Sequence, residues 1–436
     1  MPTRKTIVKA KDKIVSAVKV SPAGKTPGRA NVESLIESAK SARAEDAVVR
    51  LFETLSAYAY GLRASDIHIE PDEKQGLLRL RVDGILRDDF TIPLPVHVQL
   101  IARLKILTRM RTDEHHAPQD GRFKFSVGEE TVDVRASIIP TTQGEKAVLR
   151  LLSSQSHKLS LEQLGLAPND LARVQRAIKR PWGMILATGP TGSGKTTTIY
   201  AILEILNKRE VNISTIEDPV EFEIKGVNQS QVDQVAKLTF ATGLRSLLRQ
   251  DPDIIMVGEI RDQETAKIAV NASMTGHKLL STLHTNDSAT TIPRLIDMGV
   301  EPFLVASTLN CSIAQRLVRR TCPDCRGQKS FSKKEAGQIL AENVIEKLFE
   351  KKSSVTVAEA KGCSACGQSG YRGRLGIYEV LENSEAIQKL IIGRASSAEI
   401  KRQALAEGMT TIEEDGIRKI VSLDTTVEEF IRVMQE

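Results

Sequence analysis

Gly189, Pro190, Thr191, Gly192, Ser193, Gly194, Lys195, Thr196 and Thr197 follow the pattern G-x-x-x-x-G-K-[ST]. Glycines let the backbone curl until successive N–H groups and a helix N-terminus face one anion. Lys195 then neutralises phosphate oxygens and the Thr196 hydroxyl ligates Mg²⁺. That chemistry is the binding of Mg-ATP. The flanks agree, because the apolar run Met184–Thr188 reads as a strand before the motif and helical sequence starts near Thr196. The metal and an attacking water also need carboxylates facing the phosphates from a neighbouring strand end. DIIMVGE supplies one. Ile254–Val257 reads as a buried strand, and Glu259 emerges just past its C-terminal end, where parallel α/β sheets bind ligands. Asp262 is placed instead to cap the following helix.

A second set of reactive groups is the pair CPDC, with Cys322 and Cys325, and CSAC, with Cys363 and Cys366. Two C-x-x-C knuckles bring four thiolates to a tetrahedral Zn²⁺, and four protein ligands leave no open position, so the site reads as structural. Positions 326–362 exceed the usual ribbon spacing; Ser332 with Glu335 forms a capping box that opens a helix running toward Lys351, and this insertion accounts for the gap. A redox pair remains the alternative, since C-x-x-C is also a thioredoxin-like motif. Cys311, on an apolar stretch with helical spacing, reads as a core thiol.

These groups need a scaffold, and at 436 residues with 41% hydrophobic content two or more packed domains are expected. MILAT, STIED, DIIMVGE and KLLSTL alternate with amphipathic helical sequence, which predicts a parallel α/β sheet over 164–318. Residues 31–152 differ. LLRLRVDG sets Leu78, Leu80 and Val82 against Arg79, Arg81 and Asp83 as a half-buried strand, and Val96–Met110 has helical spacing. TVDVRASIIP and KAVLRLL add two strands, so a smaller α+β domain with an antiparallel sheet is expected. The polar SSQSHK begins a linker over 153–163; a Cys-, Gly- and Arg-rich segment occupies 319–376; residues 377–436 read as a C-terminal helical cap. Residues 1–30 form a flexible basic tail, whose peripheral contact with anionic lipid headgroups is the sharper of two open readings.

Composition removes several classes. No run approaches the roughly 18 apolar residues of a spanning helix, and the basic N-terminus lacks a signal's apolar stretch, so a cytoplasmic protein is expected. Five cysteines are too few for a disulfide scaffold. A net charge of +6 spread along the chain, with 4% aromatic residues, argues against a nucleic-acid partner.

Three further motifs join the phosphate cradle: TIEDPVE (Thr215–Glu221), LLRQDPDIIMVGEIRD (Leu247–Asp262) and TGHKLLSTLHTND (Thr275–Asp287). In order and spacing they resemble the Asp box, Walker B region and His box of the secretion and pilus-assembly ATPase family. ASDIHIEP (Ala64–Pro71), RVDG (Arg81–Gly84) and PQDGR (Pro118–Arg122) resemble that family's nucleotide-facing N-terminal domain. The resemblance implies a RecA-like P-loop ATPase domain preceded by a PAS-like α+β domain, assembled as a hexamer. It also implies that Glu217 and Glu259 orient Mg²⁺ and water, that His284 senses the γ-phosphate, and that Arg122 and Arg135 reach the nucleotide. Which glutamate is the base stays open, and His277 reads equally well as a structural residue.

The activity so implied is a motor ATPase for type IV pilus assembly or type II secretion, with an inner-membrane platform protein as partner. The larger motors carry another folded N-terminal domain, which leaves docking to the short tail here or to another subunit. Retraction motors lack the cysteines, so their presence favours assembly or secretion. A nucleic-acid translocase and a ring scaffold without turnover are the competing functions; intact Lys195, Thr196, Glu217 and Glu259 argue against the scaffold.

Overall fold

The computed structural model describes residues 18–20, 27–40, 45–128, 130–152 and 159–435. The chain divides into two compact units, Met1–Gln155 and Ser156–Glu436. Most of the basic tail, with its expected lipid contact, and Ser153–Lys158 of the linker lie outside the described residues.

The first unit runs β1 (Val18–Val20), α1 (Arg29–Ala39), α2 (Glu45–Gly61), β2 (Ala64–Pro71), β3 (Gln75–Val82), β4 (Ile85–Pro93), α3 (Leu94–Thr108), β5 (Gln119–Val127), β6 (Glu130–Thr141) and β7 (Gly144–Leu152). Its sheet has the order β1-β5-β6-β7-β2-β3-β4 and is antiparallel apart from β1 on β5. Successive side chains on a strand point to opposite faces, so the alternating residues separate. Ile67, Ile69, Leu78, Leu80, Val134 and Ala136 enter one core with Leu51, Leu55, Leu100 and Leu104 from α2 and α3. The opposite face is polar. The expectation of a tail through residue 30 fails at Val18–Val20 and from Arg29, where a strand and a helix form.

The second unit begins with α4 (Pro168–Lys179), β8 (Gly183–Thr188), α5 (Lys195–Leu206), β9 (Ile213–Glu217), β10 (Asn228–Gln231), α6 (Phe240–Leu247), β11 (Ile254–Val257) and α7 (Gln263–Met274). It continues through β12 (Lys278–Leu283), α8 (Thr291–Asp297), α9 (Pro302–Thr308), β13 (Leu309–Thr321), β14 (Arg326–Ser332), α10 (Lys333–Ala336), α11 (Glu342–Phe349), β15 (Ser354–Ala360) and β16 (Tyr371–Glu382). Helices α12 (Glu385–Ile392), α13 (Ser397–Ala406), α14 (Ile412–Val421) and α15 (Val427–Gln435) close it. The main sheet is ordered β10-β9-β11-β12-β8-β13-β16, parallel through β13 with β16 antiparallel at the edge.

Helices cover both faces of this sheet, which is why its strands are apolar without alternation. Met184, Leu186, Ile255 and Val257 face one core with α6, α7 and α9; Ile185, Ala187, Ile254 and Met256 face the other with α4 and α5. Removing one such side chain, as in Leu186→Ala, costs about 2–5 kcal/mol. The register aligns the C-terminal ends of β9, β11, β12 and β8 along one edge. All four motif loops therefore leave the sheet together.

Several expectations need correction. Cys311 lies on β13, fully buried, because an apolar run read as helical is here an interior strand. Ser332 and Glu335 do form a capping box, yet the helix stops at Ala336 and a second one starts at Glu342. Gly337, about 1 kcal/mol poorer than alanine in a helix, stands at the break. The divisions at 318/319 and 376/377 fall inside β13 and β16, so residues 377–382 are strand rather than helical cap. The cysteine segment also shares a core with the C-terminal helices, Phe331, Phe349 and Val357 packing with Ile417, Ile420 and Phe430.

Candidate functional site

The loop after β8 turns on glycines with positive φ: Gly189 at 145°, Gly192 at 80° and Gly194 at 85°. A Cβ at Gly189 would stand 2.5 Å from the Gln315 carbonyl oxygen, so alanine there would displace the loop. Gln315 on β13 donates from Nε2 to the Ser193 carbonyl at 2.6 Å and fixes the turn from its open side. Lys195 opens α5, and its Nζ donates to the carbonyls of Gly189 and Pro190, each at 2.9 Å. Burial pushes its ammonium down to about 8; Glu259 pulls it back up, and Arg316 adds to the downward push. Thr196 and Thr197 are half-buried beside it, while Thr191 and Gly192 are exposed at the loop tip.

Glu259 emerges after β11, nearly buried at 13% side-chain exposure. One oxygen pairs with Arg261 and the other lies 3.5 Å from His284 Nε2. Lys195, Glu259, Arg261 and His284 thus form one polar group at the sheet edge. His284 follows β12, whose end is tied to the phosphate strand: the Thr285 N–H donates to Thr188 Oγ1 at 2.9 Å, and the two hydroxyls are 2.6 Å apart. Asp262 caps α7 by accepting from the Thr265 N–H at 2.8 Å. His277 is occupied at the other end of α7, with Nδ1 3.0 Å from the Ala272 carbonyl.

Glu217 stands apart from that group in its bonding. It is 2% exposed, and its carboxylate accepts from Tyr200, from Thr215 at 2.5 Å and from Gln229 at 3.1 Å. Burial, followed by the Glu217 charge, pushes the Tyr200 phenol up. Both oxygens of Glu217 are committed inside the protein.

Arg122 and Arg135 lie in the first unit, directly opposite each other on β5 and β6. Arg150 opposes Arg135 in turn, Asp66 opposes Arg150, and Arg81 opposes Asp66. Asp66 accepts from Arg150 Nε at 3.0 Å and lies 3.5 Å from Arg81 Nε. Three arginines thus stand in succession across β5, β6 and β7.

Cys322, Cys325, Cys363 and Cys366 place their sulfurs within 4.8 Å of one another, with pairs at 3.9, 3.9 and 3.7 Å. A tetrahedron with zinc–sulfur bonds of about 2.3 Å has edges of about 3.8 Å. The four thiols fit zinc. Backbone N–H groups of Cys363 and Gly370 also point at Cys366 Sγ, each at 3.2 Å, which favours thiolate there. Gly370 has φ 75°, and a Cβ on it would stand 2.6 Å from Ala360, so the second knuckle requires glycine.

Sequence reasoning missed Arg261, Gln315, Arg316 and Tyr200. A glutamine followed by an arginine within the apolar stretch Ile313–Val318 was a readable signal for two of them. Arg261 and Tyr200 carried none, since an arginine after a strand and a tyrosine in a helix are ordinary.

The type II/IV secretion system protein family matches residues 41–432. The type IV pilus assembly ATPase PilB of Myxococcus xanthus (strain DK1622) is 45% identical over 408 residues, covering 92% of this chain and 70% of that protein. The type II secretion system ATPase E of Vibrio cholerae serotype O1 is 44% identical over 406 residues, covering 93% and 78%. The crystal structure of the pilus retraction motor PilT with bound ADP is similar with a TM-score of 0.58 and 26% identity, covering 88% of this chain and 96% of that one. The ATPase DotB of Legionella pneumophila shares the fold, with a TM-score of 0.63, 20% identity, and coverage of 96% and 99%. A family match across nearly the whole chain, with the phosphate loop, Glu259 and His284 gathered at one sheet edge, shows that the chain belongs to the type II/IV secretion system protein family, whose members are ATPases.

Proposed function

We propose that the chain hydrolyses Mg-ATP to ADP and phosphate as a hexameric motor for type IV pilus assembly or type II secretion. The observation that carries this reading is the convergence of Lys195, Glu259 and His284 at the C-terminal edge of a parallel sheet. Lys195 holds the β- and γ-phosphates and Thr196 ligates Mg²⁺, while Glu259 orients the attacking water and His284 reads the γ-phosphate. Glu217, with both oxygens bonded internally, acts by holding Tyr200 and the end of β9, which makes Glu259 the better base. The four cysteines hold a structural zinc, and their presence supports assembly or secretion over retraction.

Arg122 and Arg135 belong to a PAS-like domain and complete a neighbouring subunit's site. The partner is an inner-membrane platform protein at the cytoplasmic face, with the basic tail available for lipid contact. No described helix is long and apolar enough to cross a membrane, which suits a peripheral motor. Measuring phosphate release and native mass on the purified full chain tests the proposal. Turnover by a six-subunit ring, abolished by Lys195→Ala, is expected; wild-type protein that binds but never hydrolyses ATP would reduce it to a scaffold.

A further inference from the structure

The loop that carries His284 is held from two sides. On the inner side Thr285 bonds to Thr188, at the end of the phosphate strand. On the outer side the next residues are held by the last part of the chain. Ser288 donates its backbone N–H at 3.0 Å and its hydroxyl at 2.6 Å to Glu379 Oε1 on β16. Lys401, on α13, places its ammonium 3.4 Å from Glu379 Oε2 and 3.2 Å from Asp287 Oδ2. Arg316 donates to the Asn286 carbonyl at 3.1 Å, and its neighbour Gln315 is the residue that fixes the phosphate loop.

Glu379 is 1% exposed, and a buried carboxylate needs a cation beside it, which the Lys401 ammonium supplies together with Arg316. Lys401 joins this carboxylate to that of Asp287, and a cavity of about 210 Å³ beside them is lined by Arg316, Asp287, Glu379 and Lys401. Arg316 also acts on both carboxylates, so without the ammonium they keep one cation in place of two. The segment that follows His284 then loses the ion pair that ties it to α13.

We infer that Lys401 is a positioning residue for the ATPase reaction: from the C-terminal helices it clamps Asp287 and Glu379 and so sets the loop that presents His284 to Glu259. This rests on the proposed roles of His284 and Glu259 in hydrolysis. The clamp also makes the C-terminal helices part of the active-site architecture, because movement of α13 changes the loop without touching the nucleotide.

The test uses the full chain with Lys401→Met, Lys401→Arg and Glu379→Gln. Lys401→Met should lower kcat on the order of tenfold with KM for ATP and ADP affinity unchanged, since small displacements of catalytic groups cost that much or more. Lys401→Arg, which keeps the cation, should restore most of the rate. Amide hydrogen exchange over residues 285–290 should quicken in Lys401→Met and stay near wild type in Lys401→Arg. Glu379→Gln keeps an acceptor for Ser288 but turns an amide toward Lys401, so it should reproduce the kcat loss, and it serves if Lys401→Met fails to fold. Wild-type rate and wild-type exchange in the folded variant overturn the inference, as does a loss that Lys401→Arg shares equally. An inactive wild type sinks the hydrolysis reading by itself, and the exchange measurement still decides whether Lys401 holds the loop.

Discussion

Titrating nucleotide onto the protein between pH 7 and 9 probes the electrostatics of the phosphate loop directly. Lys195 is 8% exposed and bonds to two carbonyls, and burial holds its ammonium near a pKa of about 8. Phosphate oxygens favour the charged form, so the nucleotide-bound lysine keeps its proton and binding takes one up wherever the free lysine has lost it. With a free-state value of about 8, about nine tenths of these lysines are charged at pH 7 and about one tenth at pH 9. ADP affinity should therefore fall about tenfold over that range, or ~1.4 kcal/mol. The sign reverses for the nucleotide-free fold. Between about 8 and 10.5 the unfolded lysine binds more protons than the folded one, so stability rises with pH through that window. Calorimetry at pH 8 in two buffers of different ionisation heat should report about half a proton taken up per site. Lys195→Arg keeps its charge throughout and should flatten the dependence. An equal pH slope in Lys195→Arg, or no proton uptake at pH 8, would refute the reasoning.

Two further outcomes are expected. Protein purified under reducing, chelator-free conditions should carry one zinc per chain, and Cys363→Ser should lose the metal and loosen the segment around β14 and β15; metal analysis and limited proteolysis read both, and a zinc-free, fully folded wild type removes the metal. Arg122→Ala or Arg135→Ala should lower turnover with little loss of ATP affinity, and mixing either with Lys195→Ala subunits should restore activity; mixed rings shown to co-assemble yet remain inactive would place the arginines' effect within their own chain.

The legible parts of the fold are those where one strong physical constraint acts locally. A strand buried on both faces must be apolar, which made β8, β11 and β12 readable, and a phosphate loop must have its glycines. The same rule misled at Cys311, because a short apolar run fits a buried helix as well as an interior strand. The capping box at Ser332 correctly marked where a helix begins but carried no information about its length. The position of Glu259 just past β11 was legible from the apolar run before it. The commitment of Glu217 to Tyr200, Thr215 and Gln229 was not, because Gln229 arrives from β10 and no spacing in the sequence encodes that approach. The Lys401 clamp was invisible for the same reason, with 114 positions separating it from Asp287.

The central claim is that Glu259 performs chemistry while Lys195 performs binding. Measuring ATP affinity and phosphate release in parallel for wild type, Lys195→Ala and Glu259→Gln separates the two. Lys195→Ala should lose affinity, whereas Glu259→Gln should hold Mg-ATP with wild-type affinity and release phosphate at least a hundredfold more slowly, roughly 2.7 kcal/mol of lost transition-state stabilisation. Wild-type phosphate release by Glu259→Gln would contradict the account and remove that carboxylate from the mechanism.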